Sequence, residues 1–432
     1  MYLQIIILFF IIAYYIVKSK HSFGILRMSF WLILSYSFLL VTHLLSGIFY
    51  NVGSITRILP YLFICLSLVL LGEKIGLKIK TRNSKSFPIK LRTLNLLSII
   101  GSSILVFDLI RMNEIRFGLR IEDHSASIIG VIGNILASLG IIAWLASLYD
   151  NRLNGQKISS LSYLSILSYV AGGILSAGRQ SVIIITLATL ILLIWSAKKN
   201  KEKYRINPNV KTKSKSIPWK MLLISFMFFC YFFFISAVRS QIFKLEDKVV
   251  MLEKFFNAKI SDDALNQAKM IAPFSDIYIE SLFYYSHELI RLDLFYQLYD
   301  YPPLFGLEQL HYVERRIQGL VGKQNEKSWE EVERSVERKG GFSIHTWGTF
   351  ITDYIADFGR LGALFACFIT GLLSGIFYRK FKIGETQMSV IRQSLICTGI
   401  VFSIQFSPFI ELIWAFPLIM SSFIKVKLPS TF

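Results

Sequence analysis

Apolar runs of about 17–20 residues recur along this chain, each long enough to cross a hydrocarbon core of roughly 30 Å. In lipid every backbone N–H and C=O must find its partner within the protein, so runs of this length fold as helices. They fall at 1–17, 29–49, 57–72, 93–110, 126–148, 159–176, 180–196, 219–237, 351–378, 391–407 and 411–424. This pattern predicts an all-α, polytopic membrane protein with about eleven transmembrane helices. Hydrophobic residues make up 53% of the chain, which fits that class and excludes an ordinary soluble domain. The first run has no basic leader and no small-residue cleavage site, so it reads as a retained span. Cys65, Cys230, Cys367 and Cys397 all lie inside apolar runs and read as small packing residues.

The net charge of +19 is not spread evenly. Lys18, Lys20 and Arg27 follow the first run, and Lys78, Lys80 and Arg82 stand in the basic connection after the third. Arg152 and Lys157 follow the fifth, Lys198 to Lys220 the seventh, and Arg379, Lys380 and Lys382 the ninth, while Lys425 and Lys427 lie near the end. Every second connection is therefore basic, and the positive-inside rule makes those connections cytoplasmic. The N-terminus is then expected outside and the C-terminus inside. The basic loops hold few aromatics that could stack on bases, which argues for membrane lipids and against nucleic acid as their partner.

One connection breaks the pattern. From Arg239 to about Ile344 the chain stays polar with acids and bases nearly balanced. The expected organisation is therefore 1–237 with transmembrane helices 1–8, 238–347 as a long external loop, and 348–432 with helices 9–11. Within the loop, helical spacing predicts helices over Gln241–Phe256, Asp276–Tyr299 and Leu307–Leu320, with Tyr301–Gly306 as a turn. Gly322–Gly341 is highly charged and poorly periodic, which predicts a segment without fixed structure.

Where the loop returns to the membrane, Ile344–Tyr378 brings His345, Asp353, Asp357 and Arg360 to the start of an apolar helix. Ionisable groups at such a position face a cavity or a partner, because an unpaired charge in hydrocarbon costs several kcal/mol. Arg179, in the tight turn S-A-G-R-Q, and Arg239, just after a span, lie at the same membrane boundary. Arginines there either snorkel to headgroups or, together, grip a lipid-linked diphosphate in bidentate fashion. Neutralising a diphosphate makes it a good leaving group without a metal, and a histidine such as His345 suits the base that accepts a hydroxyl proton near neutrality. Asp353, Asp357 and Arg360, at i, i+4 and i+7, are expected on one helical face. Two readings stay open for Asp357: an ion pair with Arg360, or a group that orients the base or binds sugar hydroxyls. Arg291, in the loop helix, is a further candidate for binding substrate. Gly359, Gly362, Gly371 and Gly375 have the small-xxx-small spacing of close helix packing.

The strings S-A-G-R-Q-S-V-I-I-I, Y-P-P-L-F-G and above all H-T-W-G-T-F-I-T-D-Y-I-A-D-F-G-R-L-G-A-L resemble the Wzy-type oligosaccharide repeat-unit polymerases. The likeness in architecture covers most of the chain, and the likeness in motif about sixty residues. The R-x10-G pattern described for some members has no convincing copy in these loops. The resemblance implies a fold like the C-type glycosyltransferases in the bacterial inner membrane, acting without metal or other cofactor. It implies transfer of a growing glycan from undecaprenyl diphosphate to an incoming lipid-linked repeat unit, making O-antigen or capsule, with a chain-length regulator as a possible partner. Carried over by position, Arg179 and Arg239 hold the diphosphate and His345 serves the acceptor, while Asp357 stands as a catalytic candidate on the residues alone. Two rival functions differ in acceptor or in class. An O-antigen ligase uses the same donor, and a lipid-linked oligosaccharide flippase does no covalent chemistry. The long loop and the clean span centres count against the flippase.

Overall fold

A computed structural model describes residues 22–80, 86–111, 127–175, 179–206, 245–271, 275–306, 328–343, 348–404 and 412–427. It is mostly helical, and among the described residues six helices are long and apolar enough to cross a membrane. They are α1 (Met28–Leu45), α2 (Ile55–Gly76), α3 (Leu91–Arg111), α4 (Ile128–Asn154), α6 (Arg179–Ile206) and α12 (Phe350–Gly384). Three shorter helices complete this body: α5 (Ser160–Leu175), α13 (Gln387–Phe402) and α14 (Leu412–Phe423). The expected spans at 1–17 and 219–237 lie outside the described residues.

The tightest packing joins α2 and α12, which run parallel. A Cβ added to Gly371 would lie 2.0 Å from the Val69 carbonyl oxygen, and one on Gly375 would lie 2.2 Å from that of Glu73. From the other side, Gly72 and Gly76 press equally hard on the Phe368 and Leu372 carbonyls. Backbone cannot move aside as a side chain can, so only glycine allows this approach. The expected close packing thus holds for Gly371 and Gly375. Cys65 and Cys367 are buried on the same two helices, and Cys397 on α13; all three are free thiols. At the far end of α2, Glu73 is buried and paired with Arg27 at 3.2 Å. A second unit joins α3, α4 and α5, where Asn95 donates to Ser162 (3.0 Å) and Ser147 lies 2.9 Å from the same hydroxyl.

Two short strand pairs mark opposite ends of α2. The pair β1 (Ile48–Tyr50) and β3 (Ala258–Ile260), just before α2, is antiparallel with Phe49 opposite Lys259. The pair β2 (Phe87–Lys90) and β4 (Ile424–Lys427), beyond its other end, is parallel. The loop helices gather at the β1–β3 end: α7 (Leu245–Phe256), α8 (Asp262–Met270), α9 (Ser275–Ser286), α10 (Glu288–Leu298) and α11 (Ser328–Gly340). Asp262 and Asp263 open α8 behind the Ser261 cap, where negative charge suits the helix N-terminus.

Two expectations about this loop need correction. The segment predicted to lack structure forms α11 over Ser328–Gly340. Trp329, Val332 and Val336 recur there at helical spacing, with acids early and Arg338 and Lys339 late, as the helix dipole favours. The helix expected over Asp276–Tyr299 forms as two helices that meet at His287, whose own φ −77° and ψ −22° stay helical. The predicted Leu307–Leu320 helix lies outside the described residues.

Candidate functional site at the junction of the loop helices and α12

α12 is not one rod. Gly359 has φ 69° and ψ 176°, a combination open essentially to glycine alone, and it divides the helix into Phe350–Phe358 and Arg360–Gly384. The first rod therefore ends with unsatisfied carbonyls, and the turn after α10 supplies their donors. Leu304 N donates to Ala356 O (3.2 Å) and Phe305 N to Asp357 O (2.7 Å). The Tyr299 hydroxyl donates to Ala356 O (2.7 Å), and Gly306 N to Asp357 Oδ1 (2.9 Å). The Y-P-P-L-F-G turn and the D-F-G-R string, about fifty residues apart in sequence, thus form one structural unit.

The break also moves Arg360 off the face expected to hold Asp353 and Asp357. Its guanidinium instead donates to the Gln297 and Tyr299 carbonyls at 2.9 and 3.1 Å and lies over the Tyr296 ring. That contact caps the C-terminus of α10, and the backbone carbonyl of Arg360 accepts from the Tyr61 hydroxyl at 2.6 Å. The expected single face holds for Asp353 and Asp357 alone, and both are buried.

Facing this rod is the junction of α9 and α10, where a cluster of ionisable residues points inward. His287, Glu288 and Asp293 are fully buried and Arg291 nearly so. His287 lies flat against the Phe283 ring, with centroids 4.6 Å apart. Its Nδ1 is 2.8 Å from the Phe283 carbonyl oxygen, an acceptor, so Nδ1 carries a hydrogen and, in the neutral ring, Nε2 is the acceptor. That Nε2 lies 3.6 Å from Glu288 Oε1. Neither carboxyl oxygen of Glu288 has a hydrogen-bond partner among the described residues. Burial pushes the Glu288 carboxyl well above the usual carboxylate range; Arg291 opposes that shift and Asp353 adds to it. Arg291 stacks on Phe295 and packs against Gly348, where an added Cβ would lie 3.2 Å from its Nε.

Neighbouring contacts hold the cluster in place. Asp293 accepts from Ser54 N (2.7 Å) and pairs with Arg57 (3.3 Å), which ties α10 to the start of α2. His43 Nδ1 lies 2.5 Å from the Ser286 carbonyl oxygen, and the Tyr50 hydroxyl 2.6 Å from Ser286 Oγ. His43, Tyr50 and Ile290 also line a mostly apolar cavity of about 310 Å³ between the ends of α1 and α2, with Leu40, Leu59 and Phe63. One hydrophobic space therefore abuts one buried ionisable cluster.

Of the residues singled out in the sequence, the structure brings Arg291 and Asp353 to Glu288, sets Asp357 on the turn after α10 and directs Arg360 to a capping contact. Arg239, His345 and the side chain of Arg179 lie outside the described residues; the backbone of Arg179 opens α6. The described residues next to 344–347 are Ser343, whose N donates to Phe255 O at 2.9 Å, and Gly348, against Arg291. Sequence reasoning missed Glu288 and His287 as site residues. Their signal is H-E-L-I-R-L-D, four ionisable residues in seven within a helix whose remaining positions are apolar. Searches of protein-family models, curated proteins and solved structures find no match to this chain.

Proposed function

We propose that this chain is a Wzy-type repeat-unit polymerase, a glycosyltransferase that extends undecaprenyl-diphosphate-linked oligosaccharide into O-antigen or capsular polysaccharide. One observation carries the reading: Glu288, Arg291 and Asp353 meet at one end of an apolar helical body, next to a cavity lined by hydrophobic side chains. A lipid-linked donor needs both, an apolar surface for its chain and charged groups for its diphosphate and sugar. The basic connections put that end on the outer face of the inner membrane, with the N-terminus periplasmic and the C-terminus cytoplasmic.

In this reading, bond formation between an acceptor sugar hydroxyl and the donor's anomeric carbon expels undecaprenyl diphosphate, and the hydroxyl proton passes to His345. Arg179 and Arg239 neutralise the diphosphate as it leaves, with Arg291 and Asp353 lining the sugar site. The test is extension of purified lipid-linked repeat unit by the wild type and by His345→Ala, with lipid A–core offered as a competing acceptor. The wild type should build ladders on the repeat unit and the variant should stop at single repeats. Full-length polymer from His345→Ala would remove the base from the mechanism, and transfer to lipid A–core alone would make the chain a ligase.

A further inference from the structure

Glu288 is the most unusual group among the described residues: a wholly buried carboxyl with neither oxygen hydrogen-bonded. Native structures seldom leave such a group without a role. We propose that Glu288 is a positioning residue of the transfer site, a neutral acid whose bound proton leaves Arg291 packed against Gly348. The proposal rests on the polymerase reading for its consequence, although not for the protonation itself.

The geometry supplies the reason. Glu288 and Arg291 stand at i and i+3 on α10, so their side chains share one face. Arg291 is packed against Gly348, three residues after His345 in the sequence. Among the described residues the cations facing an ionised Glu288 are Arg291 and, when protonated, His287, and a buried unpaired carboxylate is strongly disfavoured. It would draw the guanidinium toward itself and away from the Gly348 segment. A neutral Glu288 makes no such demand.

The surrounding groups favour the neutral form. On the adjoining elements Glu288 meets His287 at the helix junction, Arg291 on α10, Asp353 on α12 and Tyr50 on β1; His43 of α1 is held on Ser286. Asp353 and burial raise the Glu288 carboxyl and Arg291 alone lowers it. The proton also has a defined neighbour, the Nε2 of His287 at 3.6 Å, which in the neutral ring is an acceptor.

Infrared spectroscopy of the purified full chain reads the proton directly. The wild type should show a protonated carboxylic acid C=O band at neutral pH that disappears as pH rises, and Glu288→Gln should lack it. Growth on ¹³C-labelled glutamate should shift the wild-type band, which separates it from Asp353 and Asp357 even if the variant does not accumulate. Extension of undecaprenyl-diphosphate-linked repeats by the wild type should fall through the same midpoint, about tenfold per pH unit above it, and Glu288→Gln should lose that alkaline limb. No such band, or a band unmoved by labelled glutamate, overturns the proposal. An identical alkaline limb in both proteins also overturns it. A labelled band in a wild type that extends nothing refutes the polymerase reading while supporting the proton on Glu288.

Discussion

Replacing Gly359 by alanine isolates the backbone requirement at the centre of the site. A Cβ there meets nothing closer than Pro303 Cγ at 3.9 Å, so steric crowding is not at issue. What opposes alanine is φ 69° with ψ 176°, a region that costs other residues about 1–3 kcal/mol. The chain can escape that strain only by straightening α12. Straightening gives up the Leu304–Ala356, Phe305–Asp357 and Tyr299–Ala356 hydrogen bonds, each worth about 1 kcal/mol net. The strained route costs about 1–3 kcal/mol and the straightened one about 3 kcal/mol. Gly155 provides the control. It caps α4 at φ 73° and ψ 9°, also with nothing within 4 Å, but in the ordinary left-handed region. There alanine should cost about 1 kcal/mol and asparagine much less, whereas asparagine cannot relieve Gly359 because ψ lies far from that region. Apparent melting temperatures of the four variants in detergent, followed by tryptophan fluorescence, order these costs. Gly359→Ala and Gly359→Asn should both melt several degrees below their Gly155 counterparts. A loss at Gly359 no larger than at Gly155 would refute the break as a constraint that the fold depends on.

Gly371→Leu should be worse than either, since its side chain would start 2.0 Å from the Val69 carbonyl and must push two backbones apart. Overpacking of this kind costs about 1–3 kcal/mol or more, and recovery of folded, detergent-soluble protein in place of aggregate is the measurement that decides it. Glu288→Gln should change how stability depends on pH. The folded-state carboxyl is raised above its unfolded value, so the native state binds the extra proton and wild-type stability falls as pH climbs between the two values. The variant lacks that loss. It should match the wild type under acidic conditions and exceed it at high pH, by up to about 1.4 kcal/mol for each pH unit within the window. Parallel melting curves across the pH range would rule this out.

The membrane helices were legible because an apolar run carries its own length and period: α1 to α4 lie within a few residues of the runs that predict them. α6 extends past its run, to Ile206, through K-K-N-K-E-K. Lysine and glutamate are good helix formers, late positive charge suits the dipole, and Lys199 finds Glu385 at 2.6 Å. The breaks were not legible. A glycine inside a helical pattern is compatible with a straight helix, a kink or a close contact, and Gly359 and Gly371 differ only in what lies opposite them. The junction at His287 is equally hidden, because Tyr284 to Leu289 keeps helical spacing throughout. Nor could the strand pairs be foreseen, since β1 and β3 are three residues long and more than two hundred positions apart.

The break changes what the most specific-looking string in the sequence means. In D-F-G-R, Asp357 uses its carbonyl and Oδ1 to hold the turn after α10, Gly359 supplies the conformation, and Arg360 caps α10 itself. Three of the four residues thus have structural work that would keep them in place whatever the chemistry. Tyr61 of α2 donates to the Arg360 carbonyl and the α2–α12 glycines fix the second rod, so this joint ties the first rod to the membrane body at one end, as Phe350 N to Ser403 O (2.9 Å) does at the other. The joint sets the position of Asp353 relative to Arg291 and Glu288, and a shift of about 1 Å in such a constellation is enough to cost a site its function. The specificity of the string therefore points to the geometry of the site, and the chemical assignments rest on the less conspicuous H-E-L-I-R-L-D segment opposite and on His345.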